Sequence, residues 1–104
     1  MVRVGVFGDL DLDTGPDLCA VLTECLAQGP ARLAVDVSAV PFCDSSGLTA
    51  LVKARERARN AGAEFVLVGA RPPVLRVLVM TGLDVVLNVR PQHGPPAGTG
   101  SAAV

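Results

Sequence analysis

Three polar side chains precede a glycine at Asp44-Ser45-Ser46-Gly47, and Leu48 opens an apolar periodicity directly after them. A serine at the start of a helix caps it by accepting a backbone N–H, a contact worth about 1 kcal/mol. A serine held against a base is instead a nucleophile. The second chemistry lacks its parts. His93, the single histidine, lies in a Pro/Gly-rich stretch, and Lys53, the single lysine, falls about two turns into the helix that Ser45 and Ser46 would open. There is no G-x-S-x-G elbow and no GxxxxGK[ST] phosphate loop. The residues therefore do not point to an enzyme. Asp9, Asp11 and Asp13 have the odd spacing that starts a calcium loop, but Gly15 comes one residue late and the twelfth position is Ala20 rather than Glu. Neither a metal nor any other cofactor is expected.

Composition narrows the classes further. The chain has 104 residues, half of them hydrophobic, which suits one compact domain. Its formal net charge of −1 and its lack of Tyr and Trp argue against a nucleic-acid partner. The basic residues from Lys53 to Arg59 are interrupted by Glu56 and read as a solvated helix face. No apolar run approaches the roughly 18 residues needed to span a bilayer, and the N-terminus lacks a signal-peptide pattern. A cytoplasmic protein with no membrane partner is expected. Cys19, Cys25 and Cys43 are odd in number and lack CxxC spacing, so they read as small hydrophobes rather than as a disulfide or zinc framework.

The elements that must carry the serine turn follow from periodicity. Val2, Val4 and Val6 alternate with Arg3 and Gly5, which predicts a strand over 2–7. Thr14 is a capping candidate and Pro16 suits a first helical turn. Leu18, Val21, Leu22, Cys25 and Leu26 then repeat at helical spacing as far as Gly29-Pro30. Leu33 to Val37 predicts a strand buried on both faces. Ser45 and Ser46 are the N-cap candidates for a helix that turns Leu48, Leu51 and Val52 inward and stops at Asn60-Ala61-Gly62. Phe65 to Val68 predicts a third strand, Arg71-Pro72-Pro73 opens a short helix ended by Thr81-Gly82, and Val85 to Val89 predicts a fourth strand. Residues 1–90 thus form the domain. Residues 91–104 read as a disordered Pro/Gly/Ala-rich tail. The order β-α-β-α-β-α-β implies an α/β fold with a mostly parallel sheet of about four strands. It puts the loops 8–14 and 38–46 together at the carboxyl edge of the sheet, where functional groups gather in such folds.

Several separated segments resemble a known family in order and spacing. Gly8-Asp9-Leu10-Asp11 is similar to its G-E-L-D turn. Val35-Asp36-Val37-Ser38 through Phe42-Cys43-Asp44-Ser45-Ser46-Gly47-Leu48 is similar to its D-L-S…F-x-D-S-S-G-L block, and Ala61-Gly62 with the Phe65 strand and Thr81-Gly82-Leu83 completes the pattern. The family is the STAS domain of anti-sigma-factor antagonists, and the resemblance covers about residues 3 to 89.

It implies a partner-switching protein whose Ser45, with Ser46 as second choice, accepts phosphate from an anti-sigma factor that is itself a serine kinase of the histidine-kinase-like ATPase fold. The unphosphorylated form would bind that kinase and release its sigma factor, and a metal-dependent serine/threonine phosphatase would reset the switch. Asp11, Asp44, Ser45, Ser46 and Gly47 would form the partner-binding surface. The alternative is a STAS adaptor subunit of a lipid-trafficking ABC transporter. Two departures stand out. Asp9 replaces the usual Glu, and the family's first N-terminal strand has no counterpart before residue 2. The strand over 2–7 is therefore expected to be an exposed edge through which two copies pair.

Overall fold

The computed structural model describes residues 2–11, 13–90 and the backbone of 101–103. Strand β1 (Val2–Phe7) leads to helix α1 (Gly15–Leu26), strand β2 (Arg32–Ala39), helix α2 (Ser45–Asn60), strand β3 (Glu64–Val68) and helix α3 (Pro72–Thr81). A four-residue helix, α4 (Leu83–Val86), then precedes strands β4 (Val89–Arg90) and β5 (Ser101–Ala103). The sheet order is β4-β3-β2-β1-β5, and every pairing is parallel. This is the expected α/β architecture, with one strand more.

Alternation sets the burial of β1, whose Val4 and Val6 face inward, whereas Leu33, Ala34, Val35 and Val37 of β2 are buried on both faces as suits a central strand. Leu18, Leu22 and Cys25 of α1 and Leu51, Ala54 and Ala58 of α2 close over the sheet, and all six belong to one continuous core. Small residues on α2 let the two helices approach closely: a Cβ added at Gly15 would lie 3.3 Å from that of Ala50. Between β1 and β2, Arg3 pairs with Asp36. Burial acts to raise the Asp36 pKa, but the bonds from Arg3 and from the Ser38 amide outweigh it and hold the carboxyl below its ordinary value.

Two expectations about the C-terminal third need correction. Of the strand expected over Val85 to Val89, Val85 and Val86 belong instead to the helical turn Leu83–Val86, and only Val89, joined by Arg90, pairs with Leu67 and Val68. Gly82 ends α3 in the left-handed conformation (φ 75°), the next turn buries Leu87, and Asn88 at φ 52° swings the chain back to the sheet. A short apolar run fits either state by periodicity, so tertiary packing decides it.

The segment expected to be a wholly disordered tail contains β5. Its Ser101, Ala102 and Ala103 pair with Arg3, Val4 and Gly5. The β1 edge is therefore occupied within the same chain along Arg3 to Gly5, which removes the basis for pairing two copies there, because that stretch already has a partner strand. The rest of the tail, including His93, lies outside the described residues.

Candidate functional site

The β1–β2 pairing continues past the strands and brings the two carboxyl-edge loops together. The Gly8 amide donates to the Ala39 carbonyl at 3.3 Å, the Leu10 amide donates to the Phe42 carbonyl at 3.2 Å, and Leu10 bridges Cys43. Gly8 permits the turn with φ 80°. Leu10 is completely buried, so the loop that carries Asp11 is anchored by an apolar side chain as well as by backbone bonds.

Asp11 organises its own loop. One carboxylate oxygen accepts from the Asp13 amide at 3.0 Å and from the Thr14 amide at 3.2 Å, while the Asp11 amide donates to Thr14 Oγ1 at 2.9 Å. Thr14 Oγ1 donates in turn to the Asp9 carbonyl at 3.0 Å. Thr14 thus does not cap α1 through its own hydroxyl, because that oxygen is taken up by Asp11 and Asp9. These bonds satisfy amides before the first turn of α1 and fix the aspartate in place.

The cap of α2 is Asp44, not Ser45 or Ser46. Asp44 has extended backbone geometry, and its Oδ1 accepts from the Gly47 amide at 2.9 Å while its carbonyl accepts from the Leu48 amide at 2.9 Å. An aspartate two residues before Ser46 reaches the third helical amide, the usual span of an N-cap side chain. The consequence falls on the serines. Ser45 is the first helical residue and is exposed, and its side chain makes no hydrogen bond among the described residues; Ser46 is half-buried. The Ser45 and Ser46 amides, which precede the capped turn, point out of the helix end.

Gly47 is required by proximity. A Cβ there would stand 2.2 Å from the Leu10 carbonyl oxygen and 2.7 Å from Cys43 Sγ. The first turn of α2 therefore rests directly on the backbone of the neighbouring loop. Cys43 fills the remaining space; burial, and secondarily the Asp44 charge, pushes its thiol pKa up to about 11. It stays a neutral, buried thiol and a poor nucleophile. Cys25 is likewise buried, whereas Cys19 is half-exposed, and all three are free.

The proposed partner-binding residues divide by position. Asp11 and Ser46 line one groove of about 350 Å³ between the starts of α1 and α2, which Lys53 and Arg57 continue along α2. Ser45 stands at the exposed helix end, Asp44 is half-buried as the cap, and Gly47 is buried beneath them. Sequence reasoning read Thr14 only as a helix cap and gave Phe42 no role of its own. The Asp11-x-x-Thr14 spacing was the available signal for the first. Phe42 is 56% exposed three residues before Ser45, and its type alone suggested burial. Among the described residues no three His, Cys, Asp or Glu side chains gather as a metal site, and no helix is long and apolar enough to cross a membrane.

Fold and site together define a class: a parallel α/β domain that displays an Asp-capped serine at the carboxyl edge of its sheet. The chain belongs to the STAS domain family, whose sequence profile matches residues 2–94. It is 31% identical over 88 residues to the anti-sigma-B factor antagonist of Staphylococcus aureus, covering 85% of this chain and 80% of that protein. Among solved structures it is similar to a Thermotoga maritima protein assigned as an anti-sigma factor antagonist, at 25% identity and a TM-score of 0.71 over 83% of this chain and 74% of that one. A sulfate transporter family protein of Wolinella succinogenes shares the fold at 22% identity and a TM-score of 0.74, covering 85% of this chain and 75% of that one.

Proposed function

We propose that the protein is a non-enzymatic anti-sigma-factor antagonist of the cytoplasm, controlled by phosphorylation of Ser45. The observation that carries this reading is the division of labour at the α2 start. Asp44 does the capping, so the Ser45 hydroxyl is exposed and carries no structural duty. The likeness to anti-sigma-B factor antagonists supports the partner class, an anti-sigma factor; in this reading that anti-sigma factor is itself a serine kinase. ATP comes bound to that kinase. Ser45 Oγ attacks the γ-phosphorus, the bond from that phosphorus to the bridging oxygen of ADP breaks, and the hydroxyl proton passes to a base on the kinase. A metal-dependent phosphatase returns the serine by hydrolysis. The likeness to a transporter-family protein concerns the fold alone and lends the adaptor reading no specific support.

A phosphate on Ser45 brings about −1.5 to −2 charges to a helix N-terminus, where the helix dipole stabilises negative charge by about 0.3–1 kcal/mol. The fold tolerates it. A partner packed on the same turn meets a charge that costs several kcal/mol when buried unpaired, and each 1.4 kcal/mol is tenfold in affinity. Modification therefore acts on the interface rather than on folding.

The test uses the anti-sigma factor kinase that this reading requires, sought among the neighbouring genes, with ATP. Intact mass and site mapping are expected to show one phosphate on Ser45, none on Ser45→Ala, and calorimetry to show kinase binding kept by Ser45→Ala but weakened at least about tenfold by Ser45→Asp. An unmodified wild-type protein, or modification confined to another residue, defeats the reading.

A further inference from the structure

Helix α3 is apolar around most of its circumference, through Val74, Leu75, Val77, Leu78, Val79 and Met80, with Arg76 its one charged residue, yet only Val74 and Leu78 are buried. Met80 is 79% exposed, Val79 56% and Leu75 37%, and Val85 on α4 is 80% exposed. A helix with so wide an apolar surface normally packs against another element. Contiguous exposed apolar surface of this kind marks a docking site.

The surface is shallowly grooved and charged at its margins. One groove of about 400 Å³ runs along α3 past Leu75, Val79 and Met80 with Arg76 in its wall. A second, of about 590 Å³, shares Leu75 with it and is walled by Arg71 and Arg90. Arg71 Nε donates to the Ser38 carbonyl at 2.6 Å and Arg90 Nε to Asn88 Oδ1 at 3.0 Å, both neutral acceptors. None of the three arginines pairs with a carboxylate among the described residues. Neither groove is lined by an acid, and Asp84 is the one acidic residue between residues 65 and 90 of a chain whose overall charge is negative. The local field is positive where the apolar surface is open.

We infer that the α3 grooves dock an acidic amphipathic helix of a partner protein: its apolar stripe packs beside Leu75, Val79 and Met80, and its carboxylates face Arg71, Arg76 and Arg90. The spacing of the exposed residues, 75, 79 and 80, matches the i, i+4 ridge on which a second helix packs. Protein rather than anionic lipid is the occupant because Leu75 opens onto the larger groove between Arg71 and Arg90, which accepts an inserted side chain, a feature that contact with a lipid surface does not use. The inference does not rest on the reading of Ser45.

The probe is a synthetic peptide of about 18 residues with Leu at i, i+3, i+4 and i+7 and Glu elsewhere, compared with its Lys counterpart and with vesicles containing about a quarter phosphatidylglycerol. Titrated into the isotope-labelled full chain, the Glu peptide is expected to shift amides of residues 69–90 and to bind more weakly as salt rises. Met80→Glu and Arg76→Glu, both exposed and checked for folding by circular dichroism, should each weaken it about tenfold, whereas Ser45→Asp leaves it unchanged. Absence of binding, equal binding of the Lys peptide, binding of vesicles in place of the peptide, or a dimer that buries this face by light scattering and amide shifts would each overturn the proposal.

Discussion

The Ser45 turn and the α3 face both present side chains to solvent, but they are built in opposite ways. The turn is held from below by contacts that fix its geometry: the Asp44 cap, the close approach of Gly47 to Leu10, and the backbone bonds from Gly8 and Leu10 to the neighbouring loop. Its exposed apolar area is confined to Phe42 and, at the end of β1, Phe7. The α3 face offers apolar area in plenty, while only two side chains of its helix are fully buried. A rigid polar site reads a partner by shape and charge, so a single added phosphate can reverse its affinity. An apolar site supplies binding energy that such a modification leaves intact. One region is suited to switching, the other to holding.

Substitutions can break this contrast. Gly47→Ala carries the largest expected effect, because the clash is with backbone and the helix must move; about 2–3 kcal/mol of stability should be lost in urea unfolding, with kinase binding lost as well. Asp44→Ala removes the cap at a cost of about 1 kcal/mol by the same measurement. If Asp44→Ala were neutral, one of the serines would be capping in its place, and Ser45 would not be spare.

The dependence on pH is expected to come from beneath both regions. The Asp36 carboxyl, lowered in the folded state, contributes stability that is complete above the unfolded value of about 3.9 and is lost as the pH falls through the folded value. Urea midpoints at neutral pH and near pH 3 should therefore differ less for Asp36→Asn than for the wild type. Smallest of all, Ser45→Ala and Met80→Gln should each change stability by no more than about 0.5 kcal/mol, since both side chains are exposed. Their effects should separate in binding, with the first abolishing phosphorylation and the second weakening the acidic peptide.

The order of strands and helices through Gly82 was legible because each element carries its own period and its own stop: Val2, Val4 and Val6 alternate, the apolar residues of α1 repeat at helical spacing, and Gly62 and Gly82 end helices with positive φ. The serine turn was legible as a place but not as a mechanism. Asp44, Ser45 and Ser46 are all good caps by type, and only the extended backbone at Asp44 selects among them. Exposure on α3 was hidden for the converse reason. A helix whose one charged residue is Arg76 gives little sign of how much of its apolar surface meets water. Residues 101–103 escaped notice because three small residues after a Pro/Gly-rich stretch have no period at all, and their pairing depends on an edge 98 residues earlier in the chain, at Arg3.

Strand β5 runs parallel to β1, with Ala103 beside Gly5, so the backbone leaves the sheet heading toward the end that displays Ser45. Laboratory handling is affected. A purification tag or fluorescent fusion joined after β5 emerges beside the serine turn and crowds any partner that approaches it, whereas one joined before Val2 emerges at the opposite end of the sheet. Binding measurements and reporter fusions on this protein belong on the N-terminal side.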